Sequence, residues 1–150
     1  MGDAELALGR LAEARQDYTQ AWARALEIDS AWQRDACAGL ARVALAEGDA
    51  AAALAALQPV LDHVAAGGAL DGTDSRRNEL TCYQALARAG DPRAGDWLAR
   101  AHKALMAQSD AISDAGLRQT FLQNVPWHRE ILAAWATLGA GGASGANAVR

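Results

Sequence analysis

The residues able to do acid–base, nucleophilic or metal chemistry are scattered along this chain. His63, His102 and His128 are too far apart for a His-x3-His pair, and Cys37 and Cys82 do not form a Cys-x2-Cys motif. The sequence also contains neither a Gly-x-Ser-x-Gly nucleophile elbow nor a phosphate-binding glycine loop followed by Lys and a helix. We therefore expect a protein that is not an enzyme and that requires no metal or cofactor.

One polar group near the C-terminus allows two interpretations. Arg118, Asn124, His128 and Arg129 either contact a neighbouring domain, with His128 able to titrate near neutral pH, or they support local structure. In the second case Arg118 braces the preceding helix, Asn124 completes a turn before Pro126, and His128 lies in the first turn of the last helix. We favour the structural interpretation.

The elements that must position these side chains are helices. Alanine supplies 39 of the 150 residues, and no run of β-branched or aromatic residues alternates with polar ones, so the pattern predicts an all-α fold. A glycine turn followed by a small-residue helix recurs at intervals of 39 and 42 residues. The turns are Gly9-Arg10, Gly48-Asp49 and Gly90-Asp91. This period is typical of stacked helical hairpins, which bind partners more often than they catalyse reactions.

The turn and capping residues divide the chain into units. We expect hairpins at about 1–28, 29–66 and 74–111, a C-terminal cap at 114–138, and a disordered tail at 139–150. The repeat domain therefore covers residues 1–138.

Several residues predict the individual helix ends. Asp29-Ser30 is expected to cap a helix over 31–47, Asp49 to cap the next, and Asp74 or Ser75 the one after the glycine-rich loop. Pro92 suits a first helical position, and Pro59 is expected to bend its helix.

Charge and hydropathy exclude other classes of protein. The net charge is −4, whereas a general nucleic-acid surface needs a basic excess, so we expect no direct nucleic-acid binding. No apolar run is long enough to cross a bilayer, the N-terminus carries no export signal, and the two cysteines are isolated. We expect a cytoplasmic protein.

Two segments carry a family resemblance. The segments Leu8–Ala14 and Gly39–Asp49 resemble tetratricopeptide repeats of the longer-period kind found in bacterial regulators of the maltose-activator type. Asp114–Arg129 is similar to the closing segment of repeat regions in bacterial ATPases linked to cyclase, kinase or transcription-activator modules. Cys37 and Glu79 depart from the pattern, because they replace the aromatic residue usual early in the first helix.

This resemblance implies a right-handed α-α superhelix of tetratricopeptide-like hairpins with a C-terminal capping helix. It also implies a scaffold for protein–protein interaction within a bacterial multidomain transcription regulator or signal-transduction ATPase. Residues 2–8 read as the last turns of a helix closed by Gly9, so we expect the chain to be a segment of a longer protein. The alternative is a self-standing small adaptor or oligomerisation protein.

The groove of such an array is lined by the first helix of each hairpin. Aligning Gly48 with Gly90 places polar side chains on that face, which is locally basic and suits an acidic peptide or a neighbouring domain. The other interpretation is a solvated face that only keeps the helices soluble. The candidate partner-binding residues are Asp35, Arg42, Arg77, Gln84 and Arg88.

An apolar stripe follows near the end of the chain. Trp127, Ile131 and Trp135 recur at helical spacing. They either pack on the helix that contains Trp97 or remain exposed as the anchor of a homodimer or partner interface.

Overall fold

The computed structural model describes residues 1–28, 30–70 and 75–145, with side chains through residue 139. Over those ranges the chain forms eight α-helices and no strand, which confirms the all-α prediction. The helices are α1 (Gly2–Ala7), α2 (Leu11–Glu27), α3 (Trp32–Ala46), α4 (Ala50–Ala65), α5 (Ser75–Arg88), α6 (Ala94–Asp110), α7 (Ala115–Asn124) and α8 (Pro126–Gly145).

The predicted glycine turns end three of the helices that they follow. Gly48 has φ +82° and Gly90 has φ +69°, a left-handed conformation that glycine adopts without steric cost. Asp49 then caps α4, because its carboxylate accepts a hydrogen bond from the Ala52 amide at 2.8 Å. Asp114 caps α7 in the same way. Local chemistry therefore sets these ends.

Two other predicted caps, Asp29 and Asp74, lie outside the described residues. Ser30 makes the expected type of bond, since its Oγ accepts from the Trp32 amide at 3.2 Å.

Two helix ends differ from the prediction. Pro92 precedes α6 instead of beginning it, because the Asp91 carboxylate accepts the Arg93 amide at 2.9 Å and holds a turn up to the first helical residue, Ala94. The last helix continues to Gly145, so residues 139–145 are helical where a disordered tail was predicted. Helix propensity does not explain this extension, because four of the seven residues are glycines, each of which costs about 1 kcal/mol in a helix relative to alanine.

Alternate helices form a row. Helix α1 contacts α3, α3 contacts α5, and α5 contacts α8. Helices α2, α4 and α6 pack against members of this row, and α7 packs on α6 and α8. Helix α8 therefore takes the next place in the row after α5, which brings the C-terminal segment beside the predicted binding face.

The core follows this packing. One buried cluster joins α3, α4 and α5 around Leu57 and Leu86, and a second joins α5, α6 and α8 around Leu98 and Ile131. At the other end, the Tyr18 ring lies so close to Gly39 that a Cβ there would overlap the ring carbons. No helix within the described ranges is long and apolar enough to cross a membrane.

Candidate functional site

A carboxylate on α1 connects the helices at the centre of the site. Asp3 Oδ1 lies 3.3 Å from Arg42 Nη2 on α3 and 2.8 Å from Arg77 Nη1 on α5. The Tyr18 hydroxyl on α2 donates to the same oxygen. The partly exposed Asp3 carboxylate therefore links α1, α2, α3 and α5.

These contacts also set the charge state of Asp3. Partial burial on its own would raise the pKa of the Asp3 carboxyl, but the Tyr18 hydroxyl and the Arg42 and Arg77 guanidinium groups outweigh it. The net result is a lowered pKa, so the carboxyl is ionised at neutral pH.

A second polar chain joins α3 to α5 beneath the surface. Asn78 Nδ2 donates to Asp35 Oδ1 at 2.6 Å, and Asn78 Oδ1 accepts from Arg42 Nη1 at 3.2 Å. Asn78 is buried, and side chains of α3 satisfy both of its polar atoms, as buried polar groups require. This arrangement fixes the orientation of Arg42 and Asp35.

A pocket of about 340 Å³ lies where α3, α5 and α8 meet, and we call it the Trp127 pocket. Arg77 Cζ stands 5.1 Å from the centre of the Trp127 ring, within cation–π range. On its other side, Gln84 Nε2 donates to Glu130 Oε2 at 3.0 Å. The pocket therefore offers an aromatic ring, a guanidinium group and an amide–carboxylate pair.

A larger pocket of about 550 Å³ lies between α2 and the start of α3, and we call it the Trp32 pocket. Its apolar lining includes Ile28 and Trp32, and Arg42 lines both this pocket and the Trp127 pocket. The two pockets therefore adjoin at Arg42 along one surface, which we call the α3–α5–α8 face.

Four of the five predicted partner-binding residues meet on this face. Asp35 and Arg42 line the Trp32 pocket, while Arg77 and Gln84 line the Trp127 pocket. Arg88 lies elsewhere, since its Nη1 donates to the Leu45 carbonyl at 2.5 Å and closes the end of α3.

The charge of this face differs from the sequence expectation. Alignment of the first helices had placed mainly basic groups here. The structure adds the carboxylates of Asp3 and Glu130, and Asp3 pairs with both Arg42 and Arg77. The face therefore has mixed charge, with its two central arginines already paired.

The predicted stripe on α8 divides between core and surface. Ile131 is completely buried against α6, so it is a core residue and does not offer an exposed anchor. Trp135 stacks on His102 of α6, with ring centres 4.5 Å apart and planes 11° apart, yet remains 37% exposed. Trp127 is half-buried at its pocket.

The C-terminal polar group makes local contacts. Arg118 Nε and Nη2 donate to the Ile112 carbonyl at 3.1 and 2.7 Å, just after α6 ends. His128 is buried, and its Nδ1 lies 2.8 Å from the Phe121 carbonyl oxygen. The contacts of Arg118 and His128 agree with the structural interpretation, whereas the side chains of Asn124 and Arg129 make no hydrogen bond or ion pair with the described residues.

No protein-family model, curated protein or solved structure matches this chain significantly. Its function is therefore inferred from its own residues. Among the described residues, no group of three or more His, Cys, Asp or Glu side chains is placed to hold a metal ion.

Sequence reasoning missed three residues of the site. Asp3 lies in a six-residue helix that carries no periodic pattern long enough to place it. Asn78 is about 100° around α5 from Arg77, a position that the helical pattern assigns to the contact between helices. Glu130 lies on α8, which packs beside α5. The repeat pattern ends before α8, so the sequence did not predict this contact.

Proposed function

We propose that this chain is a non-catalytic protein-interaction domain that binds a segment of a partner protein on the α3–α5–α8 face. The observation that supports this function is the Trp127 pocket, where side chains from separate helices converge at the surface on one small volume. Residues from elements distant in sequence are brought together there, with buried Leu80 and Thr81 at the base of the pocket and Gln84, Trp127 and Glu130 nearer the surface. Such a concave patch with an aromatic wall and few polar groups is suited to binding.

The charges of the face define the partner segment. Since Asp3 already pairs with Arg42 and Arg77, the attraction for a purely acidic segment is weaker than the sequence implied. A segment that places an apolar side chain against Trp127 and a polar group beside Gln84 fits better. Such a segment belongs either to another protein or to a neighbouring domain of the same polypeptide.

The resemblance to tetratricopeptide repeats supports a regulatory setting. We propose that the domain acts within a bacterial multidomain transcription regulator or signalling ATPase in the cytoplasm. Its role there is physical, because a partner held across α3, α5 and α8 changes how these helices pack against one another.

Exposure on α8 supports a second candidate function, self-association. On α8, Trp135 is 37% exposed and Leu138 is 49% exposed. If they form a homodimer interface, sedimentation equilibrium detects a dimer that Trp135→Ser with Leu138→Ser converts to a monomer. A monomer at all concentrations excludes this candidate.

The binding proposal is tested by selecting peptides from a random phage-displayed library and measuring their affinities by calorimetry. Gln84→Ala and Glu130→Ala remove surface groups of the Trp127 pocket, and Gln58→Ala and Glu13→Ala are matched controls on α4 and α2. We expect the pocket variants to weaken binding at least about 10-fold, equivalent to about 1.4 kcal/mol, while the controls bind normally. Equal binding by all four variants would show that partners use another surface.

A further inference from the structure

The Trp32 pocket combines a buried floor with unusually exposed apolar walls. Its volume of about 550 Å³ falls within the range of about 300–1,000 Å³ typical of small-molecule sites. Ala25 and Ala36 form part of the buried floor, whereas Ile28 is 70% and Trp32 71% exposed. These two large side chains add nothing to the core, so they are available to a ligand.

Two charged residues of this pocket lack an ion-pair partner. Arg24 makes no hydrogen bond or salt bridge within the described part of the chain. Asp35 accepts one hydrogen bond, from the neutral amide of Asn78, and has no cationic partner among the same residues. By contrast, the other two charged residues of the pocket, Asp3 and Arg42, pair with each other.

The two unpaired charges come from opposite sides of a helical hairpin. Arg24 is in the last turns of α2, and Asp35 is in the first turn of α3. Gln33 Nε2 donates to the Ala25 carbonyl at 3.3 Å, which shows that these parts of the two helices face each other. Since the axes of packed helices are about 8–10 Å apart, the charges border the pocket from its two sides.

We propose that the Trp32 pocket binds a short zwitterionic peptide with apolar side chains. Its terminal carboxylate pairs with Arg24, its terminal ammonium pairs with Asp35, and its side chains pack on Trp32 and Ile28. A single amino acid carries both charges on one carbon, whereas a di- or tripeptide separates them enough to reach both helices.

Charge complementarity disfavours other ligand classes. A purely cationic ligand would meet Arg24, and a purely anionic one would meet Asp35 and Asp3. A wholly apolar ligand would offer no partner to either Arg24 or Asp35, so it gains nothing from these two charges. Only a ligand with one charge of each sign satisfies both groups.

This inference concerns a different pocket from the one that supports the proposed function, although the two pockets share Arg42 on the α3–α5–α8 face. The residues that carry it, Arg24 and Trp32, do not line the Trp127 pocket. Failure of one proposal therefore leaves the other standing, and variants of each pocket distinguish them.

The test uses the dipeptide Leu-Leu, which does not fluoresce, and follows tryptophan emission of the full chain. We expect a saturable change in emission that is absent in Trp32→Leu. N-acetyl-Leu-Leu lacks the ammonium group and Leu-Leu amide lacks the carboxylate. Each is expected to bind at least 10-fold more weakly.

Charge variants of the protein give the matching result. Arg24→Gln removes the charge and keeps a polar, though shorter, side chain. Asp35→Asn is isosteric, and the asparagine can still accept from Asn78. Each is expected to weaken Leu-Leu binding at least 10-fold. Arg24→Gln should bind Leu-Leu and Leu-Leu amide with equal affinity, and Asp35→Asn should bind Leu-Leu and N-acetyl-Leu-Leu with equal affinity, because each variant has lost the side-chain charge that pairs with the capped group. Lys103→Gln and Asp110→Asn, both exposed on α6, are the charge-matched controls and should bind normally.

Three outcomes would overturn the proposal. The first is no saturable change up to millimolar Leu-Leu. The second is equal affinity of the wild type and both charge variants. The third is concentration-dependent self-association that Trp32→Leu abolishes, because a second copy of the chain would then occupy the pocket.

Discussion

Arg77 Nη1 on α5 lies 2.8 Å from Asp3 Oδ1 on α1, so an ion pair connects two helices that are separated in the row by α3. The same oxygen lies 3.3 Å from Arg42 on α3. The position of both arginines on the α3–α5–α8 face therefore depends on a carboxylate from the first helix. Its removal should loosen the face as well as destabilise the fold.

The first prediction concerns Asp3→Asn. This variant loses two ion pairs and a charge-assisted hydrogen bond, but Asp3 is partly exposed, so we expect a loss of only about 1 kcal/mol at neutral pH. Urea unfolding followed by circular dichroism measures it. Asp110→Asn, which is exposed on α6, is the control and should change the free energy of unfolding little.

The pH dependence of that loss follows from the lowered pKa of Asp3. A carboxyl with a lower pKa in the folded state stabilises the fold at pH values above its ordinary pKa of 3.8. That stabilisation is lost as the pH falls from 3.8 through the folded-state pKa. The difference between the wild type and Asp3→Asn should therefore shrink in acid. A difference that stays constant down to pH 2 would contradict the role of the Asp3 charge.

The second prediction concerns a carboxylate that the structure buries. Glu79 Oε1 lies 2.9 Å from Arg100 Nε, and Oε2 lies 3.0 Å from Arg76 Nε. Glu79→Ala leaves these cations without their partner and opens a cavity, so we expect it to cost about 3 kcal/mol. Glu13→Ala on the exposed side of α2 should cost under about 0.5 kcal/mol. Similar unfolding midpoints for the two variants would argue against a paired, buried Glu79.

The third prediction compares two helical glycines. Gly39→Ala adds a methyl group where the Tyr18 ring already lies, whereas Gly95→Ala meets no atom within 4 Å. Overpacking should cost Gly39→Ala about 1–3 kcal/mol, and Gly95→Ala should be stabilising by a few tenths of a kcal/mol to about 1 kcal/mol. Thermal unfolding measures both. A Gly39→Ala protein as stable as Gly95→Ala would show that Tyr18 does not pack on that glycine.

The fourth prediction concerns the two thiols. Burial, with a smaller contribution from Glu79, raises the pKa of Cys82 to about 12, and burial also raises the pKa of Cys37. Because the thiolate is the reactive form, both should react slowly with DTNB at pH 8 in the folded protein and rapidly in denaturant. Rapid reaction of the native protein would show that these thiols are accessible.

Local signals made several of the helix ends predictable from the sequence. Gly48 and Gly90 supply left-handed turns, and Asp49 supplies a cap, within four residues of the bonds that they make. The register of α3 and α5 also predicted that Arg42 and Gln84 would share a face. These features depend on neighbouring residues or on a regular repeat, which a single sequence displays.

The remaining features depend on contacts between distant segments. Glu79 stands where the repeat pattern expects an aromatic residue, and its burial becomes intelligible only beside Arg100 of α6. The helical spacing of Trp127, Ile131 and Trp135 predicted a stripe that either packs on the Trp97 helix or stays exposed, and only the packing of α8 on α6 shows that Ile131 is core while Trp135 remains 37% exposed. The mixed charge of the binding face likewise depends on Asp3. Its helix, α1, has only six residues, which is too few for a hydrophobic pattern to predict which side chains face α3 and α5.

The central claim, that partners bind on the α3–α5–α8 face, is tested most directly by nuclear magnetic resonance. A ¹⁵N-labelled sample is titrated with the tightest peptide from the library selection, and amide and indole shifts are recorded. We predict perturbation of amides on that face and of the Trp127 indole, with the Trp22 and Trp97 indoles unchanged. Perturbations confined to α2, α4 and α6, with a constant Trp127 indole signal, would contradict the claim.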